Sequence, residues 1–212
     1  MICVSLSRMT TEECLQTLKK EAFAEIRIDT MDVGIEQIKE LFSFPSKLIA
    51  TCRQGRYNDQ QRKAFLKQAI EAGANYVDIE VESNHKYMME IMQYARMHNC
   101  KIIVSYHNFE ETPGIDDLVN ITTLCFEQGA DYAKIVTMAE HERDVAKILS
   151  LYTLKRKIIA FAMGEKGKLS RIIAPLLGAE FSYASPLAGK EAAPGQIDKE
   201  KMAEIISLLK KI

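Results

Sequence analysis

The sequence predicts a (β/α)8 barrel, and three observations carry that expectation. Short apolar runs alternate with longer helical stretches from one end of the chain to the other. There are eight such runs, which favours a closed parallel barrel over an open sheet. No GxGxxG follows the first run, which weighs against a dinucleotide-binding fold.

Taken in order, the first strand is the apolar run Ile2–Leu6, followed by a helical stretch at Thr11–Lys20. The second strand is Ala24–Asp29. Side chains alternate along a strand, so Ile26 and Ile28 share one face and Glu25, Arg27 and Asp29 the other. The isoleucine face should meet the helices and the charged face should point inward. The third strand, Lys47–Cys52, is followed directly by Arg53 and then by a helix at Asp59–Ala72. In the fourth, Tyr76–Val81, Val77, Ile79 and Val81 oppose Asp78 and Glu80, and a helix at Asn84–Asn99 follows. The fifth, Lys101–His107, starts on branched Ile102, Ile103 and Val104, then places Ser105 and His107 on the face of Ile103. A helix at Ile115–Gln128 leads to the sixth strand, Tyr132–Thr137, where Lys134 sits in mid-strand on the face of Tyr132 and Val136. After a helix at Glu140–Leu151 come Lys157–Met163 and Phe181–Ser185. The last helix, Asp198–Lys211, carries Met202, Ile205, Ile206 and Leu209 as an amphipathic stripe. Gly73 and Gly129 stand just past helices, where a left-handed residue is wanted. The stretches "EAGANYVDIE" and "EQGADYAKIV" mark two equivalent helix-to-strand joints.

Composition bounds the rest. The 212 residues carry a net charge of −1 and show no linker or low-complexity segment, so one domain over residues 1–212 is expected. That charge balance points to neither nucleic acid nor a membrane surface, and no apolar run reaches the roughly 20 residues of a membrane span. No basic, cleavable leader is legible at the start, and Cys3, Cys14, Cys52, Cys100 and Cys125 form no CxxC or zinc spacing. Free thiols in the cytoplasm are the expectation. His85, His98 and His141 read as surface histidines, and the methionines of "YMMEIMQYARM" as helix packing. "MGEKGKLSR" reads as a lysine-rich turn after the seventh strand, with no Walker pattern.

A lysine in mid-strand and a histidine at a strand end are costly as core residues. A desolvated lysine among positive charges is a nucleophilic amine, and amines attack ketones and aldehydes to give imines. A protonated imine acidifies the neighbouring C–H, and a histidine, titrating near neutrality, shuttles that proton. Arginines would clamp a carboxylate or phosphate. These residue types point to imine chemistry on a small anionic carbonyl compound, without metal or organic cofactor. The substrate stays open at this level: a lyase, an aldolase for a phosphorylated sugar, or a non-catalytic barrel that binds a small acid.

Seven segments together resemble the type I 3-dehydroquinate dehydratases, the Schiff-base enzymes of the shikimate pathway. They are "EIRID", "IATCR", "YVDIE", "IIVSYHNFEETP", "GADYAKI", "FAMGEKGKLSR" and "AAPGQI". The S-x-H-x-F-x-x-T-P, M-G-x-x-G-x-x-S-R and P-G-Q blocks occur in the family's order across nearly the whole chain. The resemblance implies that Lys134 forms the imine with the substrate ketone and that His107 serves as general base, then acid. It implies ring-hydroxyl contacts for Glu25 and Arg27, further substrate contacts for Arg53 and Arg171, with Arg171 on the carboxylate, and a lid role for Gln196. Ser5 matches a substrate-contacting serine and Met163 a methionine packed near the imine, while Asp78 and Glu80 are assigned to support. The expected substrate is 3-dehydroquinate, and a homodimer is expected from barrel enzymes of this kind. The chain departs from the pattern in four places. Ala192 replaces the lid serine, which removes a hydrogen bond worth about 1 kcal/mol. Tyr57 stands about where some members carry an acid after the arginine, and Ile26 replaces an aromatic residue. The N-terminus begins almost directly with the first strand, so a hairpin that covers the barrel bottom in some relatives is expected to be absent.

Overall fold

The computed structural model describes residues 1–211. Eight strands alternate with eight helices: β1 (Ile2–Leu6), α1 (Thr11–Leu18), β2 (Phe23–Arg27), α2 (Ile35–Phe42), β3 (Lys47–Thr51), α3 (Asp59–Ala72), β4 (Tyr76–Glu80), α4 (His85–Met97), β5 (Lys101–Asn108), α5 (Ile115–Glu127), β6 (Tyr132–Met138), α6 (Glu142–Ser150), β7 (Ile158–Met163), α7 (Lys168–Ile173), β8 (Ser182–Ala184) and α8 (Lys199–Leu209). The parallel strands form one sheet in the order 7-6-5-4-3-2-1-8, the arrangement of the (β/α)8 barrel class. Two compact units are distinguished by contacts, Ser5–Ile103 and the remainder of the chain.

In the first unit, register fixes which side chains share a face. Glu25 aligns with Ile49 and Arg27 with Thr51; Ile49 aligns with Tyr76 and Thr51 with Asp78. Glu25, Arg27, Thr51 and Asp78 therefore lie on one side. Ala24, Ile26, Leu48, Ala50, Val77 and Ile79 lie on the other, all of them buried. That is the division expected from alternation. The second strand stops earlier than its apolar pattern predicts. Arg27 leaves the extended region and Ile28–Thr30 forms a 3-10 turn, held by the Thr30 hydroxyl donating to the Arg27 carbonyl at 2.8 Å. Within this turn Asp29 pairs with Arg27.

In the second unit, β6 and β7 align Lys134 with Ile159, Val136 with Phe161 and Met138 with Met163. These six residues share one face. β1 pairs with β8, Cys3 opposite Tyr183. Met202 and Ile206 of α8 pack with Ile172 and Ala184, joined by Ile205 and Ile197, while Leu209, the last residue of the predicted stripe, stays exposed at the helix end.

The helix-to-strand joints share one geometry. Gly73 and Gly129 adopt φ of 120° and 101°, and the amide after each, on Ala74 and Ala130, donates back to Ala69 and Cys125. The same closure recurs at Asn99, φ 56°, with Cys100 donating to Ala95, and at Gly178, φ 107°, with Ala179 donating to Ala174. Helix α3 starts where predicted because Asn58 and Gln61 form a reciprocal cap. All five cysteines are free and buried. Among the described residues no helix is long and apolar enough to cross a membrane, and no cluster of three His, Cys, Asp or Glu side chains is placed to hold a metal ion.

Candidate active site

Ionisable side chains gather on the polar face of each unit, and their pairing differs. In the first unit every candidate is tied to a partner. Glu25, 4% exposed, accepts from the Ser5 hydroxyl at 3.2 Å and the Thr51 hydroxyl at 2.9 Å. Arg27 makes a two-point pair with Asp29, Nε to Oδ1 at 3.0 Å and Nη2 to Oδ2 at 2.7 Å. Arg53 pairs with Asp78 at 2.8 Å and lies 3.9 Å from Glu80. Burial alone would disfavour its charge, but Asp78, Glu80 and Glu25 outweigh that and raise its pKa. Asp78 and Glu80 are thus the counter-ions of Arg53. Tyr57 donates to the Met31 carbonyl at 2.8 Å and sets its ring edge-on to Phe65, so it serves packing.

The second unit holds the remaining candidates, and its sequence blocks have local reasons. In "SYHNFEETP", the Asn108 carboxamide accepts from the amides of Glu110 and Glu111 at 2.9 Å each and turns the chain just after His107. Thr112 anchors the far side of that turn, bonding Thr137 at 2.9 Å and the Met138 carbonyl at 2.6 Å. His107 is half-buried, and its ring stacks with the exposed ring of Phe109 at 6.1 Å and 15°.

Lys134 is 5% exposed although it sits in mid-strand. Its Nζ lies over the Tyr183 ring, 4.3 Å from the centroid. Tyr183 meets Phe161 at 5.8 Å, and the Arg171 guanidinium lies over Phe161 at 4.4 Å. Met163, on the Lys134 face, is 1% exposed.

Arg171 is placed by the serine before it. Ser170 donates to the Gly167 carbonyl at 2.6 Å and accepts from the Ala162 amide at 2.7 Å, drawing the turn onto β7. A Cβ on Gly167 would stand 2.3 Å from the Met163 carbonyl, so only glycine fits there. The stretch predicted as a lysine-rich turn therefore includes a short helix, α7. Ser182 fixes the Arg171 carbonyl at 2.9 Å.

The guanidinium of Arg171 is 1% exposed. Its Nη2 donates to the Pro194 carbonyl at 3.4 Å and its Nε has no hydrogen-bond partner. Among the described residues no carboxylate pairs with it, and burial lowers its pKa to about 9. An uncompensated buried cation is expensive unless an anion completes it.

The "AAPGQI" loop rests on the same turn. Gly164 donates to the Pro194 carbonyl at 3.2 Å, and Gly195, φ 73°, lies so close that a Cβ there would stand 2.3 Å from the Gly164 oxygen. Gln196, 6% exposed, accepts from the Ala192 amide at 2.7 Å. The methyl of Ala192 offers no hydroxyl to this loop. Sequence reasoning missed Phe161 and Tyr183, because aromatic residues in apolar strands look like ordinary core.

A family model described as Type I 3-dehydroquinase matches residues 2–212. A 3-dehydroquinate dehydratase from Methanococcus maripaludis (strain C7) is 39% identical over 204 residues, covering 92% of this chain and 91% of that protein. The crystal structure of the 3-dehydroquinate dehydratase from Aquifex aeolicus VF5 superposes with a TM-score of 0.83 at 27% identity, over 98% of both chains. The type I enzyme from Clostridium difficile shares the fold, with a TM-score of 0.87 at 24% identity over 100% of this chain and 92% of that one.

Proposed function

The chain belongs to the type I 3-dehydroquinase family, and from that premise we propose that it converts 3-dehydroquinate to 3-dehydroshikimate and water through an imine on Lys134. The amine attacks the C3 ketone and water leaves, giving a protonated imine. That cation draws electrons from the adjacent C2–H bond, and His107 takes the proton. The resulting enamine expels the C1 hydroxyl, to which His107 returns the proton, and water leaves. Hydrolysis of the imine releases product and restores Lys134, so one water is lost overall. The protonated imine is itself the electron sink, and the scheme calls on no metal or organic cofactor.

One observation carries the proposal. A buried strand lysine shares a unit with a buried guanidinium that, among the described residues, no carboxylate neutralises. The substrate is a carboxylate and a ketone at once, which suits that pair. Arg171 takes the carboxylate and Met163 packs near the imine. Gln196 belongs to a lid that shields the imine from early hydrolysis. Ser5, Glu25, Arg27 and Arg53 are assigned to the ring hydroxyls and neighbouring substrate atoms by their place in the family's motifs.

The test is reductive trapping. Borohydride added with 3-dehydroquinate should increase the intact mass by one reduced adduct, localised to Lys134, and Lys134→Ala should abolish it. An unchanged mass in the native protein, or an adduct that persists in Lys134→Ala, rejects the mechanism. Absorbance from the enone product reports turnover in the same samples.

A further inference from the structure

Two buried basic side chains of the second unit lie over aromatic rings. Lys134 Nζ stands 4.3 Å from the centre of the Tyr183 ring, and the Arg171 guanidinium 4.4 Å from that of Phe161. The two rings touch at 5.8 Å between centroids, tilted by 54°. Phe161 shares the face of Lys134 by register, so one aromatic pair lies between amine and guanidinium. Tyr183 and Phe161 are each 3% exposed, and the contacts are therefore desolvated. Arg53 is paired with Asp78, and buried Arg62, which also lies over the Tyr87 ring at 4.7 Å, is paired with Asp59; among the described residues Arg171 has the ring without the carboxylate.

A carboxylate fixes a cation but also cancels its charge. A ring face attracts a cation through its quadrupole and adds no net negative charge. That difference matters where an anionic substrate has to bind. We propose that Phe161 and Tyr183 form a positioning platform, Tyr183 lying under the reacting nitrogen of Lys134, where positive charge develops once the protonated imine forms, and Phe161 holding the anion-binding group of Arg171. The platform rests on the imine reading above. Its consequences divide cleanly. The Tyr183 face remains under the nitrogen when that nitrogen becomes a protonated imine, so Tyr183 acts on imine formation. The Phe161 face orients the guanidinium toward the carboxylate, so Phe161 acts on substrate binding. The tyrosine hydroxyl has no part in either effect.

Removing the rings tests this through a split between kcat and KM. Tyr183→Leu should slow borohydride trapping and kcat about tenfold with KM within about twofold. Phe161→Leu should raise KM about tenfold while trapping at saturating substrate stays within about twofold. Tyr183→Phe and Phe161→Tyr, which keep the rings, should restore each parameter to within about twofold of the native protein. If a leucine variant melts early, Tyr183→Met or Phe161→Met fills the volume without a ring and is read in the same way. The platform is overturned if Tyr183→Leu traps as fast as Tyr183→Phe. It is also overturned if Phe161→Leu keeps the native KM, or if both leucine variants lower kcat and raise KM alike, as general loosening would. Absence of any adduct in the native protein rejects the imine reading itself, and the platform with it. A native adduct with ring-independent rates rejects the platform alone.

Discussion

Replacing Arg171 with methionine should make the empty protein more stable and the loaded protein less so. Burial lowers the guanidinium's pKa well below its ordinary value, to about 9. At about 1.4 kcal/mol per tenfold change, that is a desolvation cost on the order of 5 kcal/mol. The contact with Phe161 returns about 2 kcal/mol and the hydrogen bond to Pro194 about 1.5 kcal/mol. The net cost is about 1–2 kcal/mol. Its sign with pH follows from the direction of the shift. A basic group whose folded pKa is lowered pays the full cost below about pH 9, and relief comes only as pH rises above that value. At neutral pH the arginine is therefore charged and the cost fully present. Arg171→Met, similar in length and uncharged, should raise the melting temperature by about 2–8 °C without ligand. With product at 100 times its Kd, the native protein should gain about 2.7 kcal/mol. Losing a charge-assisted carboxylate contact weakens binding by about a hundredfold, so the same concentration should stabilise the variant by only about 0.4 kcal/mol. Urea titrations at pH 7.5, with and without 3-dehydroshikimate, measure both quantities. A variant less stable than the native protein, or one stabilised as much by the product, would refute the reasoning.

His107→Ala should lower kcat by about 100- to 10,000-fold while borohydride still traps the imine; loss of the adduct as well would show that His107 is needed before proton transfer. Gly195→Ala places a methyl 2.3 Å from the Gly164 oxygen at a φ of 73°, so the loop should lift off. The expected signs are faster limited proteolysis within residues 186–196 and a higher KM, and a native digestion pattern would contradict them. Burial raises the thiols of Cys14 and Cys52 to about 12, with Glu13 and Asp29 adding to the effect. Unfolded thiols ionise near 9 and these do not, so stability should fall as pH rises from about 9 to 12. Urea midpoints at pH 8 and 10 should differ less in a Cys14→Ala, Cys52→Ala variant; an equal slope would argue against the assignment.

Strand order and most boundaries were legible because alternation and capping are local. Asp59–Ala72 was read to the residue, since Asn58 and Gly73 both announce themselves. The alternation called for helices at Ile35–Phe42 and Lys168–Ile173 but gave them no bounds: Gly34 has no side chain to signal a cap, and six residues carry too little periodicity. Lys134 and His107 stood out as polar residues in apolar strands. What no pattern could supply was partnership. Nothing in the string "SRIIAP" says that Arg171 goes without a carboxylate among the described residues, and nothing in "FAM" or "SYA" says that Phe161 and Tyr183 meet. Those facts depend on residues far apart in sequence.

The recurring helix-to-strand closure carries a consequence for engineering. Three of its four left-handed positions are glycine, but Asn99 holds the same conformation with a side chain, as does Lys155 after α6, φ 51°. An L-residue in that conformation carries a strain of about 1 kcal/mol that glycine relieves. Both positions stand where a helix gives way to the next strand and neither is a candidate site residue, so a more heat-resistant protein is reachable by two point changes.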